Sequence, residues 1–356
     1  MPLTISESQI SRGTDPVPEA AIFQTVAVYS CGEVIGDGLF KLSFLQECRR
    51  RFPDAHLCWI AGLSTSVFAG PLASMVDGLI DEVVENAGIG TFAQLIDPRP
   101  PLGGRRFDLV VDTQRNFMRT LCAKRIRHGQ FLASTGGFHL SSIRPPANGA
   151  FPRSLLGQFS FLLDLVSDPL LDPPGPIVVD ETYRNRARAL LPDGPSYVGF
   201  APGAGDPTKV WPLENFLELA RRQRAGGRTP VFILGPGEAA LRDRIRDAIP
   251  DGIFPPTVGD DPDQPSGPAL VIALGGRMAA AVTNDSGAGH MLALSQIPLV
   301  SLYSKADPQK YVLKVPRLVI IDSKDHGGED PALIPLEDVA RALENLLDDA
   351  VQPSGE

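Results

Sequence analysis

The chain has 356 residues, 43% hydrophobic and 21% charged, the make-up of a globular protein long enough for two domains of ordinary size. Its formal net charge of −9 argues against a nucleic-acid partner, and no run approaches the roughly 18 apolar residues of a membrane span. Four cysteines (Cys31, Cys48, Cys58, Cys122) have neither metal-ligand spacing nor disulfide density, which fits a reducing cytoplasm.

Residues 1–19 are polar, with Pro and Ser and no apolar signal-peptide core, and read as a frayed lead-in. Thr25-Val26-Ala27-Val28-Tyr29 reads as a buried strand, followed by a turn with Gly32, Gly36, Asp37 and Gly38 and a helix over 39–51. Pro53 ends that helix, and a second strand is expected over 55–60. The glycine-rich turn is not a dinucleotide fingerprint: the glycines do not give G-x-G-x-x-G, and no acidic residue closes the second strand. The turn does put Asp37 at the C-terminal edge of a parallel sheet, where such proteins hold ligands; capping the helix is its alternative role.

A further strand is expected over 107–112. Between Arg105 and His128 the charge reverses locally, with Arg105, Arg106, Arg115, Arg119, Lys124, Arg125 and Arg127 against only Asp108 and Asp112. Such a run is either a solvated face or a landing site for an anion. An apolar helix over 155–165 precedes a Pro-rich segment, 168–176, which reads as an interdomain linker.

The second half alternates in the same way. A helix over 181–191 and a strand over 197–201 lead into the loop Pro202-Gly203-Ala204-Gly205-Asp206-Pro207-Thr208-Lys209-Val210-Trp211-Pro212. A helix from Leu213, a strand over 230–234 and the turn Gly235-Pro236-Gly237-Glu238 follow. The apolar run 278–282 then enters Thr283-Asn284-Asp285-Ser286-Gly287-Ala288-Gly289-His290, a helix from Met291 and a strand over 297–302. Asn, Asp, Ser and Gly at a strand-to-helix turn cap the helix and admit close approach of a ligand; a helix N-terminus seats phosphate. With Lys209 at the same sheet edge, the pattern outlines a pyrophosphate site.

These motifs, in this order, resemble the heptosyltransferases of glycosyltransferase family 9. The residues that carry the likeness are Pro202-Gly203-Ala204 through Lys209, Trp211 and Pro212, then Leu234-Gly235, Asn284-Asp285-Ser286-Gly287 with His290, and Asp307-Pro308. In the first half, Gly36-Asp37, Phe52-Pro53-Asp54-Ala55 and Phe107-Asp108-Leu109-Val110-Val111-Asp112 add to it. The resemblance implies a GT-B architecture, an α/β fold of two Rossmann-like domains with parallel sheets facing across a cleft. An acceptor-binding domain over 20–170 and a donor-binding domain over 177–350 are expected. It further implies an inverting, metal-independent transfer of heptose from a nucleotide diphosphate donor, usually ADP-heptose, to the lipopolysaccharide core, without a cofactor.

Carried onto this chain, Asp37 matches the base, a role suited to a partly buried carboxylate, and Lys209 the phosphate-binding lysine. Asp285 matches the carboxylate on the donor sugar, and Ser286, Gly287 and His290 the diphosphate-binding helix start. Gly203 and Thr208 fall in the donor loop. The basic run, with Arg115, Arg119, Lys124 and Arg127, is the expected wall for an anionic glycan or lipid-linked acceptor. A cytoplasmic protein with peripheral contact at the inner face of the membrane would fit. Departures sit at Gly38, at Lys41-Leu42-Ser43 where the family's Thr-Leu-Pro is expected, at Ala288-Gly289, and at Leu302-Tyr303-Ser304-Lys305-Ala306 before Asp307. They leave open a different donor sugar, or a GT-B protein that binds a nucleotide sugar without turning it over.

Overall fold

The structure, a computed structural model, describes residues 23–146, 150–172, 175–257, 264–310 and 315–351. The polar lead-in at 1–19, the start of the first expected domain, and Pro173-Pro174 of the linker lie outside these residues.

The first half builds β1 (Thr25–Ser30), α1 (Ile35–Arg51), β2 (His56–Ala61), β3 (Glu82–Val84), α2 (Phe92–Ile96), β4 (Arg106–Asp112), α3 (Phe117–Lys124), β5 (Arg127–Ala133) and α4 (Leu155–Asp164). The second half builds α5 (Glu181–Leu190), β6 (Tyr197–Ala201), α6 (Leu213–Ala225), β7 (Thr229–Phe232), α7 (Ala239–Ala248), α8 (Gly267–Gly275), β8 (Ala280–Asn284), α9 (Gly287–Leu294), β9 (Leu299–Tyr303), β10 (Leu318–Asp322) and α10 (Leu336–Val351). Each half holds a five-stranded sheet, ordered β3-β2-β1-β4-β5 and β10-β9-β8-β6-β7. Every pairing between these strands is parallel.

Strand composition explains the arrangement. The central strands are unbroken apolar runs, as sheets covered by helices on both faces require; Val26, Ala27, Val110, Val111, Val198, Phe200, Ala281 and Val282 are all fully buried. In both sheets the chain moves outward from a first central strand, then returns to its other side. The direction changes between β1 and β4 and between β6 and β8, and at such a change the loops after the two strands splay apart and leave a crevice.

Two helices begin earlier than the sequence pattern suggests. Helix α1 starts at Ile35 with Val34 as N-cap, so Asp37 lies inside its first turn instead of capping it. Helix α9 starts at Gly287, capped by Ser286, whose hydroxyl accepts the Gly289 N–H at 3.4 Å. Gly38 also finds its reason: a Cβ there would lie 2.4 Å from Val67 and 2.8 Å from Leu72, so only glycine lets the Val67–Ala69 turn close on α1. The halves meet where α1 packs on α9. Ala269, Ile272 and Leu294 of the second half belong to the same apolar cluster as Leu39, Leu42 and Phe44 of α1.

Candidate active site

Loops from both crevices face each other across one cleft of about 740 Å³. From the first half come Asp37, Phe40 and Lys41 of α1 and Thr113, Gln114, Arg115 and Arg119 after β4. From the second come Gly205, Asp206 and Lys209 after β6 and Asp285, Ser286, Gly287 and His290 after β8.

The second wall is built by Asn284, a fully buried residue at the end of β8. Its amide donates to the Pro202 carbonyl at 2.8 Å and its oxygen accepts the Trp211 N–H at 3.1 Å, pinning both ends of the proline-rich loop to β8. Trp211, itself buried, donates from its ring to the Ile334 carbonyl at 3.0 Å. The loop is thereby held against the next turn, and Lys209 Nζ meets Asp285 Oδ2 at 2.6 Å with both side chains mostly withdrawn from water. Beside them is the start of α9, whose first N–H groups carry the positive end of the helix dipole. His290 stacks edge-on against Phe40 of α1, ring centres 6.0 Å apart. Burial drives its imidazole towards the neutral form, although Asp285 and Asp37 pull the other way.

A second hollow of about 780 Å³ opens from this wall and shares Gly205, Ser286 and Gly287 with the cleft. Ile233, Leu234, Val271 and Met291 make it apolar, and Glu238 and Thr257 supply polar groups. Gly203 makes room there for Glu238: a Cβ on it would fall 1.6 Å from the Glu238 carboxylate, which accepts the Gly235 N–H at 2.8 Å. An apolar slot joined to an anion seat has the form of a nucleoside diphosphate site.

On the first wall, Asp37 is exposed to the cleft and forms no hydrogen bond or ion pair among the described residues. The partial burial expected for it is absent from the free protein. Lys41, one turn further along α1, is only 8% exposed; its ammonium donates to Ser30 Oγ at 3.0 Å and lies over Trp59. Behind Arg115, Asp112 is buried at the end of β4. It accepts from Thr120 Oγ1 at 2.6 Å and from the Gln114 N–H at 2.8 Å. Burial pushes its carboxyl up to about 7, against the pull of those two bonds and of Lys41.

The structure thus brings Asp37, Arg115, Arg119, Lys209, Asp285, Ser286, Gly287 and His290 to one cleft. It does not bring Lys124 or Arg127 there. Arg127 opens β5, paired with Arg106 at the N-terminal edge of the sheet, the edge away from the cleft. Lys124, in the last turn of α3, donates to the Leu140 carbonyl at 2.6 Å. Thr208 turns its hydroxyl back to Asp206 at 2.7 Å, stiffening the turn that carries Lys209. Sequence reasoning missed Lys41, Gln114, Asp206 and Glu238. Glu238 sat in a recognised turn after a strand, the signal that would have found it. Among the described residues, no three His, Cys, Asp or Glu side chains are grouped to hold a metal ion.

Two α/β units, each with a five-stranded parallel sheet, facing each other across a cleft make the GT-B class of fold. Three solved structures share that fold at low sequence identity. A glycosyltransferase family 9 protein from Veillonella parvula matches with TM-score 0.69 and 20% identity, over 92% of this chain and 97% of its own. ADP-heptose lipopolysaccharide heptosyltransferase II from E. coli matches with TM-score 0.64 and 18% identity, over 92% and 99%. E. coli heptosyltransferase WaaC with ADP matches with TM-score 0.62 and 16% identity, over 92% and 99%. The profile of glycosyltransferase family 9 (heptosyltransferase) matches residues 99–329, and the chain belongs to that family. Lipooligosaccharide heptosyltransferase 2 of Haemophilus influenzae is 31% identical over 124 residues, a stretch spanning 34% of this chain and 34% of that protein.

Proposed function

We propose that this protein is an inverting glycosyltransferase that moves heptose from ADP-heptose, or a closely similar nucleotide diphosphate sugar, to an anionic acceptor of the lipopolysaccharide-core type. The observation that carries the reading is the shared cleft: Asp37 lines it from one half, and the Lys209–Asp285 pair and the start of α9 from the other. The half over 20–170 takes the acceptor, the half over 177–350 the donor.

In this reading the nucleoside occupies the apolar slot beside Glu238, and the diphosphate lies on the α9 N-terminus with Lys209. The donor sugar reaches Asp285. Asp37 accepts the proton of the acceptor hydroxyl, whose oxygen attacks the anomeric carbon from the face opposite the diphosphate. As that bond forms, the bond from the anomeric carbon to the phosphate oxygen breaks, and configuration inverts. Charge builds on the leaving diphosphate through an oxocarbenium-like state, where preset N–H groups and an ammonium act most strongly. Peripheral contact with the cytoplasmic face of the inner membrane would bring a lipid-linked acceptor to this cleft; no helix among the described residues is long and apolar enough to cross a membrane.

Two variants test the reading against ADP-heptose and a core acceptor. Asp37→Asn should lower kcat about 10²–10⁴-fold and leave ADP affinity intact. Lys209→Ala should weaken ADP binding by roughly 1.5–3 kcal/mol, measured by calorimetry, and lower kcat as well. Tight ADP binding with no turnover by the wild type would leave a nucleotide-sugar-binding protein instead. Normal kcat in Asp37→Asn would remove the base.

A further inference from the structure

Resting on that assignment of the two walls, we propose that the first wall carries an anion-binding subsite centred on Lys41, with Arg115 and Arg119. It takes a carboxylate or phosphate of the acceptor beside the hydroxyl to be glycosylated.

Lys41 lies four residues after Asp37, hence on the same face of α1, and both line the cleft. Its side chain is more than nine-tenths buried, yet its one hydrogen bond goes to a neutral partner, Ser30 Oγ. Two of its three N–H donors therefore have no partner among the described residues. The nearby Glu33 does not fill that need. Its carboxylate already accepts from Ser30 Oγ at 3.1 Å, from the Trp59 ring at 3.2 Å and from Ser66 Oγ. Burying an ammonium this deeply costs far more than one neutral hydrogen bond returns. Burial accordingly lowers Lys41's hold on its proton, while Glu33, Asp37, Cys31 and Asp112 act to retain it.

The two arginines point to the same ligand class. Arg119 donates to the Gln114 side chain at 3.3 Å, a neutral acceptor, and Arg115 stands exposed in the cleft. Neither has a carboxylate within ion-pair distance among the described residues, whereas Lys209 on the other wall is already paired with Asp285. Three cations on the first wall outweigh Glu33 and Asp37, and Asp112, with its carboxyl raised to about 7, is only partly charged near neutrality. The Lys41-Leu42-Ser43 departure from the family pattern thereby gains a role: it places an amine able to bind an anion one turn along α1 from Asp37.

The test measures binding of inorganic phosphate, glucuronate and neutral glucose at constant ionic strength. It uses the full chain in the Lys209→Ala background, so that the diphosphate seat contributes little. Phosphate or glucuronate, but not glucose, should bind. Adding Lys41→Met or Lys41→Gln should weaken the anion about tenfold or more, and Lys41→Arg should largely restore it. Which anion binds more tightly tells phosphate from carboxylate. Should the neutral Lys41 variants fail to fold, Arg115→Ala and Arg119→Ala lie at the surface and should each cost severalfold, and the Lys41 ammonium resonance should move on adding the anion. Equal affinity with and without Lys41, or no anion binding at all, overturns the subsite. Neither result touches the base assignment, which Asp37→Asn turnover decides separately.

Discussion

Asp112 carries the most informative single-residue prediction. An aspartate in the unfolded chain titrates near 3.9, about three units below its folded value of about 7. Folding therefore favours the neutral carboxyl. The associated stability is complete below about pH 4 and is lost as pH rises through 7. Asparagine has the same shape and never ionises. Its oxygen can keep the Gln114 N–H and its amide can donate to Thr120 Oγ1, whose own hydroxyl then turns to Thr135 Oγ1, now 3.1 Å away. Asp112→Asn should melt above the wild type at pH 8, with the gap closing towards pH 5. A constant gap across that range would mean that Asp112 is ionised in the folded protein throughout. The same reasoning separates residues that sequence alone treats as equal: Asp37 faces open solvent and Asp112 is sealed, though each stands at the C-terminal side of an apolar strand.

At the scale of an element, α3 shows how one basic run divides into two populations. Its first turn and the loop before it stand at the C-terminal edge of β4, so Arg115 and Arg119 reach the cleft. Eight residues of helix rise about 12 Å, which carries Lys124 far down the sheet and away from any ligand held there. Arg119→Glu should therefore raise KM for an anionic acceptor several-fold and make activity less sensitive to salt, while Lys124→Glu should leave KM near its starting value. Steady-state kinetics on both variants checks this. Equal effects from the two would mean that the run acts as a diffuse field and not as a local contact.

Across the whole molecule, the two sheets are distinct, but their cores are not. Ile272 of α8 and Leu294 of α9 pack with Leu39, Leu42 and Phe44 of α1, and the Ile177 N–H, just after the linker, donates to the Leu294 carbonyl at 3.1 Å. Shared apolar burial couples the halves, so scanning calorimetry should record a single transition. ADP at a hundred times its Kd should move that transition as one, by about 2.7 kcal/mol. Two separate transitions, with only one shifted by ADP, would mean that the interface is too weak to couple them.

Much of this architecture is legible in the amino-acid sequence by itself. The apolar runs at 25–29, 107–112, 197–201 and 278–282 correspond to β1, β4, β6 and β8, because a strand covered on both faces is built mainly from apolar residues, with its few buried polar ones at the ends. Lys209 and the Asp285-Ser286-Gly287 turn are legible for the same local reason: a small-residue turn after such a strand exposes backbone N–H groups. Short or polar elements are not legible. β3 has three residues, and in β5 only the last three, Phe131, Leu132 and Ala133, are apolar and buried, so each apolar run is too short to read as a strand. What only the tertiary structure decided is which loops meet. Strand order brings the loops after β1 and β4, and after β6 and β8, to one cleft, and leaves Arg127 at the far edge of the same sheet. Strand order is set by packing between residues distant in the chain, and no local pattern of residues encodes it.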